Sequence, residues 1–264
     1  MHIDVVELRR FYYRTHLGQV VQRALRDALA LHWPAPPKGN LVGFGFAAPF
    51  LRPFKSSATR AMALMPAQQG AFHWPMEADN IAVLADERRW PIATGFVDHL
   101  IIAHALENSE RPRAVLAEAH RVLSPTGRAL IVVPNRTGLW ARRELTPFGH
   151  GRPYSLTQLE QHLREHSLEP VGHSAALYGP PSQRRFWLKM AGIAERTGRK
   201  LDAQRLAGAI IVEVAKTAYA APRGGAAVSA KTPLEVLGGV VAPKPKPLAG
   251  RTGQGRASPV RAAS

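Results

Sequence analysis

The chain has 264 residues, no cysteine and a formal net charge of +16, because 35 Lys and Arg residues outnumber 19 Asp and Glu residues. This length accommodates one domain of ordinary size with residues to spare. The lack of cysteine excludes disulfides and cysteine-based zinc sites. No run of about 18 apolar residues is present, so we expect no membrane span. The first residues lack the basic and apolar regions of a secretory signal, and we therefore expect a cytoplasmic protein, whose oligomeric state the sequence does not indicate.

The first predicted element is an amphipathic helix over residues 4–32. Apolar residues recur there close to the helical period, with arginines between them. The proline-rich segment 34–37 ends the helix, and we treat residues 1–38 as one N-terminal unit. Tyr12 either packs this helix on the body of the protein or faces a ligand, and packing is the commoner role of an apolar stripe.

Residues 40–135 predict buried strands that alternate with helices. Apolar runs occupy 41–44, 81–85, 100–103 and 129–133, and a helix with one apolar face lies between the last two. Continuous apolar strands alternating with helices indicate a parallel sheet that is covered on both faces.

The segment 134–155 is too rich in glycine and proline for a regular element, and too aromatic for a disordered linker. In open α/β sheets, ligands bind outside the carboxyl ends of the strands, where this segment begins. Long loops at such places are often lids or binding loops. The segment therefore predicts either an acceptor pocket, with arginine holding an anionic substrate, or a packed structural loop. The candidate substrate-binding residues are Tyr12, Arg136, Trp140, His150 and Tyr154.

The remaining pattern predicts a helix from a capping box at Ser155, a strand over 169–178, a helix over 186–198 and a strand over 208–216. On the first of these helices, His162 and His166 have a spacing that can bind metal. No third ligand is evident in the sequence, so we expect a solvated helix face and no metal site.

Residues 222–264 form a tail rich in Gly, Ala, Pro and Ser, with seven basic residues and one acidic residue. Such a segment cannot bury enough apolar surface to offset its ordering entropy, and we predict that it is disordered. Its charge would give weak attraction to polyanions. Specific docking on RNA or on a membrane surface is the less favoured alternative.

An ordered set of residues resembles the small-molecule type of class I S-adenosylmethionine-dependent methyltransferases. The set consists of Asp86, Pro91, Asp98, His104-Ala105-Leu106-Glu107, Glu118 and Arg121-Val122-Leu123-Ser124-Pro125-Thr126-Gly127. The resemblance covers roughly residues 40–135. It implies a Rossmann-like α/β domain over residues 39–221, with a doubly wound, seven-stranded, mostly parallel sheet closed by a two-strand antiparallel unit.

The resemblance also implies a site for S-adenosylmethionine. Gly43 and Gly45 correspond to the glycine-rich turn that the methionine end of the cofactor approaches. Ala47 replaces the third glycine of that turn, and Leu41 replaces the usual acid. Asp86 corresponds to the acid that binds the adenine amino group.

One carboxylate of the family is missing. The acid that accepts hydrogen bonds from the ribose hydroxyls has no counterpart, because residues 28–76 contain no Asp or Glu. Gln68 or Gln69 could accept from a ribose hydroxyl, although a neutral amide is the weaker partner.

Two functions follow from the sequence. The first is an S-adenosylmethionine-dependent methyltransferase with a small-molecule acceptor that the sequence does not identify. Methyl transfer needs mainly alignment and exclusion of water, and His104, after the fourth strand, is the candidate base or orienting residue, against a structural role for the same histidine. The alternative is a catalytically silent protein of this fold that acts as a binding or regulatory module. The missing ribose acid favours the alternative, whereas Gly43, Gly45 and Asp86 favour the enzyme.

Overall fold

A seven-stranded sheet forms the centre of the computed structural model, which describes residues 3–35, 37–200 and 204–216. The strands are β1 (Asn40–Gly45), β2 (Arg60–Pro66), β3 (Ala82–Ala85), β4 (Val97–Ala103), β5 (Leu123–Pro134), β6 (Leu168–Ala176) and β7 (Ala209–Lys216). Their order across the sheet is β3-β2-β1-β4-β5-β7-β6. The predicted tail, residues 222–264, lies outside the described residues.

All neighbouring strands run parallel except at β7. β1 pairs with β2 and β4, and β3 and β5 extend the parallel ladder on either side. β7 runs antiparallel to both of its neighbours, β5 and β6. The predicted mostly parallel sheet with a closing antiparallel unit is therefore confirmed. The carboxyl ends of β1 to β4 meet at one edge of the sheet, the edge at which open α/β sheets bind ligands.

Two apolar clusters cover the two faces of this sheet. One face carries α1 (Val5–Arg14), α2 (His16–His32), α3 (Ala48–Leu51) and α6 (Arg185–Lys200), and the other carries α4 (Pro112–Val122) and α5 (Leu156–Glu165). The connections 67–81 and 86–96, on either side of β3, contain no helix. Where a helix would otherwise cover the sheet, the first connection buries the ring of Trp74 on one face, and the second buries the ring of Trp90 on the opposite face.

The N-terminal segment is two helices, so the prediction of one helix over residues 4–32 is wrong. Thr15, between α1 and α2, has extended backbone angles (φ −110°, ψ 143°). Its hydroxyl accepts a hydrogen bond from the amide of Gly18 at 2.9 Å and donates one to the carbonyl of Phe11 at 2.7 Å. A side-chain cap of this kind competes with the helical backbone ladder and begins a new helix. The apolar period continues through the break, which is why the period alone does not reveal it.

Two residues of the ordered set form a clamp between α4 and the connection before β4. The Glu118 carboxylate accepts from the backbone amide of Trp90 at 2.6 Å. The Arg121 guanidinium donates to Glu118 at 2.7 Å and to the carbonyls of Trp90 and Ile92 at 3.1 and 2.9 Å. These bonds fix a segment that has no regular structure of its own.

No helix in the described part of the chain is long and apolar enough to cross a membrane. Within the same residues, no group of three or more His, Cys, Asp or Glu side chains is placed to hold a metal ion. His162 lies on α5 and His166 follows its last residue, and the Nδ1 of His166 lies 2.9 Å from the backbone carbonyl oxygen of His162.

Candidate active site

A buried row of three polar side chains lies at the carboxyl end of β4. His104 follows the strand directly, with a positive φ of 51°, which is uncommon for a residue other than glycine. Its Nε2 lies 2.6 Å from the hydroxyl of Tyr12 on α1, and its Nδ1 lies 3.2 Å from a carboxylate oxygen of Glu107. All three side chains are almost fully buried. Burial raises the pKa of Tyr12 well above its usual value, and the Glu107 carboxylate acts in the same direction, so Tyr12 is a neutral phenol.

Several polar atoms in and beside this row have no partner with hydrogen-bond geometry. They are the Nδ1 of His104, both carboxylate oxygens of Glu107 and the side-chain oxygen of Asn108, although His104 Nδ1 and Glu107 lie within ion-pair distance of each other. Buried polar groups in native proteins are almost always satisfied, so an unsatisfied group indicates a water, ion or ligand, and an incompletely paired buried carboxylate is especially costly. A polar donor group that reached these atoms would satisfy them.

Aromatic rings close this row from the outside. The ring of Tyr12 stacks on Phe46 at 5.5 Å and meets the edge of Phe50 at 5.6 Å. From the other side, the ring of Phe148 lies 4.9 Å from His104. Tyr12 thus packs α1 on the body of the protein, the commoner of its two predicted roles, and its hydroxyl also reaches His104.

The two glycines of the predicted turn have different surroundings. Gly45 ends β1 with a φ of 84°, and a Cβ there would lie 2.7 Å from the Cβ of Ala105. Gly43 is inside β1 and pairs with both neighbouring strands, so its predicted place in the turn is wrong. A Cβ on Gly43 would lie 2.7 Å from both Ala47 and Leu51, so the lack of a side chain admits the close approach of α3.

A second polar group lies at the ends of β2 and β3. Asp86 and Gln68 are both exposed and line a cavity of about 160 Å³. The Arg88 guanidinium forms two contacts of 3.1 Å with the Asp86 carboxylate, and these bonds lower the pKa of Asp86 to about 2. Gln69, in contrast to Gln68, is buried, and its amide donates to the backbone carbonyl of His104 at 2.5 Å. The structure thus brings Gln68 and Asp86 together and directs Gln69 towards the β4 end.

The loop that predicted an acceptor pocket is divided between the two faces of the sheet. Trp140 is buried on the face that carries α1, where its ring nitrogen donates to the carbonyl of Gly179 at 2.8 Å. Tyr154 is buried on the opposite face, and burial raises its pKa to about 12. Arg136 is exposed, and the Nε2 of His150 lies 3.0 Å from the carbonyl oxygen of Glu144. The structure does not assemble these four residues into one pocket.

Sequence reasoning missed Glu107 and Asn108 as site residues, and it named Gln69 only as an alternative to Gln68. A signal for the first two was present, because Glu107 and Asn108 follow a long apolar run, and acids or amides beside a buried strand end need partners. Glu107 was noticed only as part of the ordered set. For Gln69 the signal was ambiguous, since two consecutive glutamines follow β2 and only the backbone decides which of them points inward.

Residues 43–131 match the model of a family described as a methyltransferase domain. No curated protein sequence matches the chain. Among solved structures, an S-adenosylmethionine-dependent methyltransferase from Thermotoga maritima, described as a possible histamine N-methyltransferase, has a TM-score of 0.56 at 14% identity, over 80% of this chain and 95% of that one. One from Archaeoglobus fulgidus has a TM-score of 0.51 at 15% identity, over 74% and 94%. The [4+2]-cyclase SpnF has a TM-score of 0.50 at 18% identity, over 75% and 82%. At these identities the likeness shows the fold.

Proposed function

We propose that the chain, whose residues 43–131 match a methyltransferase domain, is an S-adenosylmethionine-dependent methyltransferase of class I that acts on a small-molecule acceptor. The observation that carries this proposal is the group of unsatisfied buried oxygens on Glu107 and Asn108 beside His104. They lie at the carboxyl end of β4, inside the matched residues 43–131, on the edge where this fold binds its ligands.

The polar residues on this edge fit the polar ends of the cofactor. The exposed Asp86 carboxylate would accept from the adenine amino group, with Gln68 beside it for a ribose hydroxyl. The buried oxygens of Glu107 and Asn108 would accept from an ammonium group. When bound, the cofactor supplies an electrophilic methyl group. The missing ribose acid makes weak binding the expected outcome.

The free space at this edge is too small for the cofactor unless α1 moves. The cavity at Asp86 is about 160 Å³, well below the roughly 300–1,000 Å³ of small-molecule sites, and Tyr12 and Phe46 seal the row at β4. Displacement of α1 would open the row for binding, and its return would exclude water from the reacting groups. In the closed state His104 Nε2 is engaged by Tyr12. It can take a proton from an acceptor only after that hydroxyl has moved away.

Calorimetric titration of the full chain with S-adenosylmethionine and S-adenosylhomocysteine tests the proposal. Asp86→Asn should weaken binding roughly 10- to 100-fold, because a hydrogen bond to a charged group contributes about 1.5–3 kcal/mol. Asp79→Asn removes an exposed carboxylate from the connection before β3 and is the matched control. It should leave the Kd unchanged.

Restoring the lost acid is the complementary test. Gln68→Glu places a carboxylate beside Asp86 and should tighten binding about tenfold if the ribose lies there. The preceding residues are poorer places for an acid, because Met65 is buried and Pro66 is paired with Ala85.

A catalytically silent binding module is the second candidate. The closed aromatic seal over His104 and the pairing of Asp86 with Arg88 favour it. If neither the native chain nor Gln68→Glu binds the cofactor at near-millimolar concentration, the enzyme proposal fails and the module takes its place.

A further inference from the structure

A cleft of about 610 Å³ opens on the surface between α1 and the segment 72–77, apart from the row at His104. We call it the α1 cleft. Five cationic side chains line it, namely Arg9, Arg10, Arg14, Arg52 and Lys55. Glu77 is the one carboxylate among its lining residues.

The positive charge of the α1 cleft is poorly compensated. Glu77 lies 3.7 Å from Arg52, and with 75% and 63% of their side chains exposed this pair contributes little. Among the described residues, Arg10, Arg14 and Lys55 form no ion pair. Cations gathered in a concave surface with few counter-charges raise the local potential and attract anions.

Aromatic residues form part of the lining of the α1 cleft. Phe72, Trp74 and Tyr13 line it, and the guanidinium of Arg9 lies over the Phe72 ring, 5.0 Å from its centre. Tyr13 is 36% exposed, so part of its ring remains available for contact. A flat apolar group can pack on these rings while an attached anion reaches the cations.

The helical period explains how α1 serves two places. Leu8 and Tyr12 are four apart and are buried, whereas Arg10 and Arg14, also four apart, line the cleft. The rings of Tyr13 and Phe72 lie 6.5 and 5.6 Å from the ring of Phe46, which stacks on Tyr12. The α1 cleft therefore adjoins the sealed site through one ring.

We propose that the α1 cleft binds a small organic phosphate or diphosphate, with its anionic group among the arginines and Lys55 and its apolar body on Phe72 and Tyr13. Guanidinium groups match phosphate oxygens in bidentate geometry. The volume lies within the range of small-molecule sites, whereas a nucleic acid needs a row of cations along an extended surface. The proposal stands apart from methyl transfer, because binding is measured without S-adenosylmethionine.

Calorimetry of the full chain with three probes tests this proposal. The probes are 1-naphthyl phosphate, inorganic phosphate and 1-naphthol. Because both the anion and the ring contribute, 1-naphthyl phosphate should bind at least tenfold more tightly than either of the others. Equal affinity for 1-naphthyl phosphate and 1-naphthol would overturn the anionic part of the proposal. Equal affinity for the two phosphates would overturn the apolar part.

Matched variants separate the α1 cleft from general attraction by a basic protein. The double variant Arg10→Gln/Arg14→Gln should weaken 1-naphthyl phosphate binding at least tenfold. The control Arg113→Gln/Lys189→Gln removes two exposed cations elsewhere and should change the Kd less than twofold. Equal losses in both variants would overturn the proposal.

Two further measurements complete the test. Thermal melting of each variant establishes that the chain is folded, and Phe72→Leu provides a second variant that leaves the net charge unchanged and should weaken the naphthyl compound but not inorganic phosphate. A single-stranded oligonucleotide should bind no more tightly than 1-naphthyl phosphate at 150 mM salt, a concentration near physiological ionic strength. Tighter binding that falls steeply with salt would assign the surface to nucleic acid instead.

Discussion

Beside β4, charged side chains hold irregular backbone through hydrogen bonds, whereas beside β1 aromatic rings fill the ligand-binding edge. The Glu118 and Arg121 clamp fixes the connection before β4. The hydroxyl of Ser109 donates to the buried Glu87 carboxylate at 2.6 Å in the same region. The β1 side has the stacked rings of Tyr12 and Phe46, and no acid occurs over residues 28–76.

This difference separates family residues that support the fold from family residues that are expected to contact the ligand. Glu118 and Arg121 belong to the ordered set that carries the resemblance, yet their hydrogen bonds run to backbone and to each other. They position a loop, and they support the fold whether or not a cofactor binds. The departures lie where ligand contacts are expected, at Ala47 and at the end of β2. A match over residues 43–131 is therefore stronger evidence for the fold than for binding of the ligand.

The largest expected loss of stability comes from substitutions that break the aromatic packing on the β1 side. Tyr12→Ala should lower the free energy of unfolding by about 3–5 kcal/mol, because a fully buried ring leaves a cavity. Tyr12→Phe should cost about 1–2 kcal/mol, since it keeps the ring and removes the hydrogen bond to His104. Urea unfolding measures both. Tyr13→Ala, next to it but partly exposed, should cost less than about 1 kcal/mol, and an equal loss at both positions would show that α1 is not packed as described.

A smaller loss should follow from breaking the clamp on the β4 side. Arg121→Met should lower the free energy of unfolding by about 2–4 kcal/mol, because the partly buried Glu118 carboxylate and two backbone carbonyls lose their donor. Arg113→Met, at an exposed position on the same helix, should change it by less than about 0.5 kcal/mol. Urea unfolding of the two variants gives the comparison. If their stabilities are the same, the clamp is a surface contact of no consequence.

The sheet could be predicted because its strands are continuous apolar runs. Runs such as 100–103 and 129–133 are buried on both faces, and the helix between them has one apolar face. For each of these segments, the apolar period and the segment length indicate the same type of element. The break at Thr15 could not be predicted in this way, because a cap depends on one hydroxyl while the apolar period continues. The place of Gly43 was also ambiguous, since a glycine can admit a ligand or a neighbouring helix.

The site was predictable in part. Asp86 and His104 follow strand ends, and strand ends are read from the apolar runs. The orientation of Gln68 and Gln69 depends on a register of one residue, because successive side chains near a strand point to opposite sides. Trp140 and Tyr154 are residue types that are typical of a binding loop, yet each ring is buried in the core on a different face of the sheet. Composition does not tell which ring a loop buries.

The smallest expected effect concerns acid pH and distinguishes the two sides once more. Hydrogen bonds from Arg121 lower the pKa of Glu118, and burial opposes them. A carboxyl whose pKa is lower in the folded state contributes stability above its unfolded pKa of about 4.3, and the contribution is lost as the pH falls through the folded value. The difference in unfolding free energy between the native chain and Glu118→Gln should therefore be constant from pH 7 to 5 and should shrink at lower pH. The shrinkage should be less than about 1 kcal/mol because solvent screens the partly exposed pair. Residues 28–76 on the β1 side contribute no carboxylate to such a pair. A difference that persists unchanged to pH 3 would mean that the clamp does not depend on the charge of Glu118.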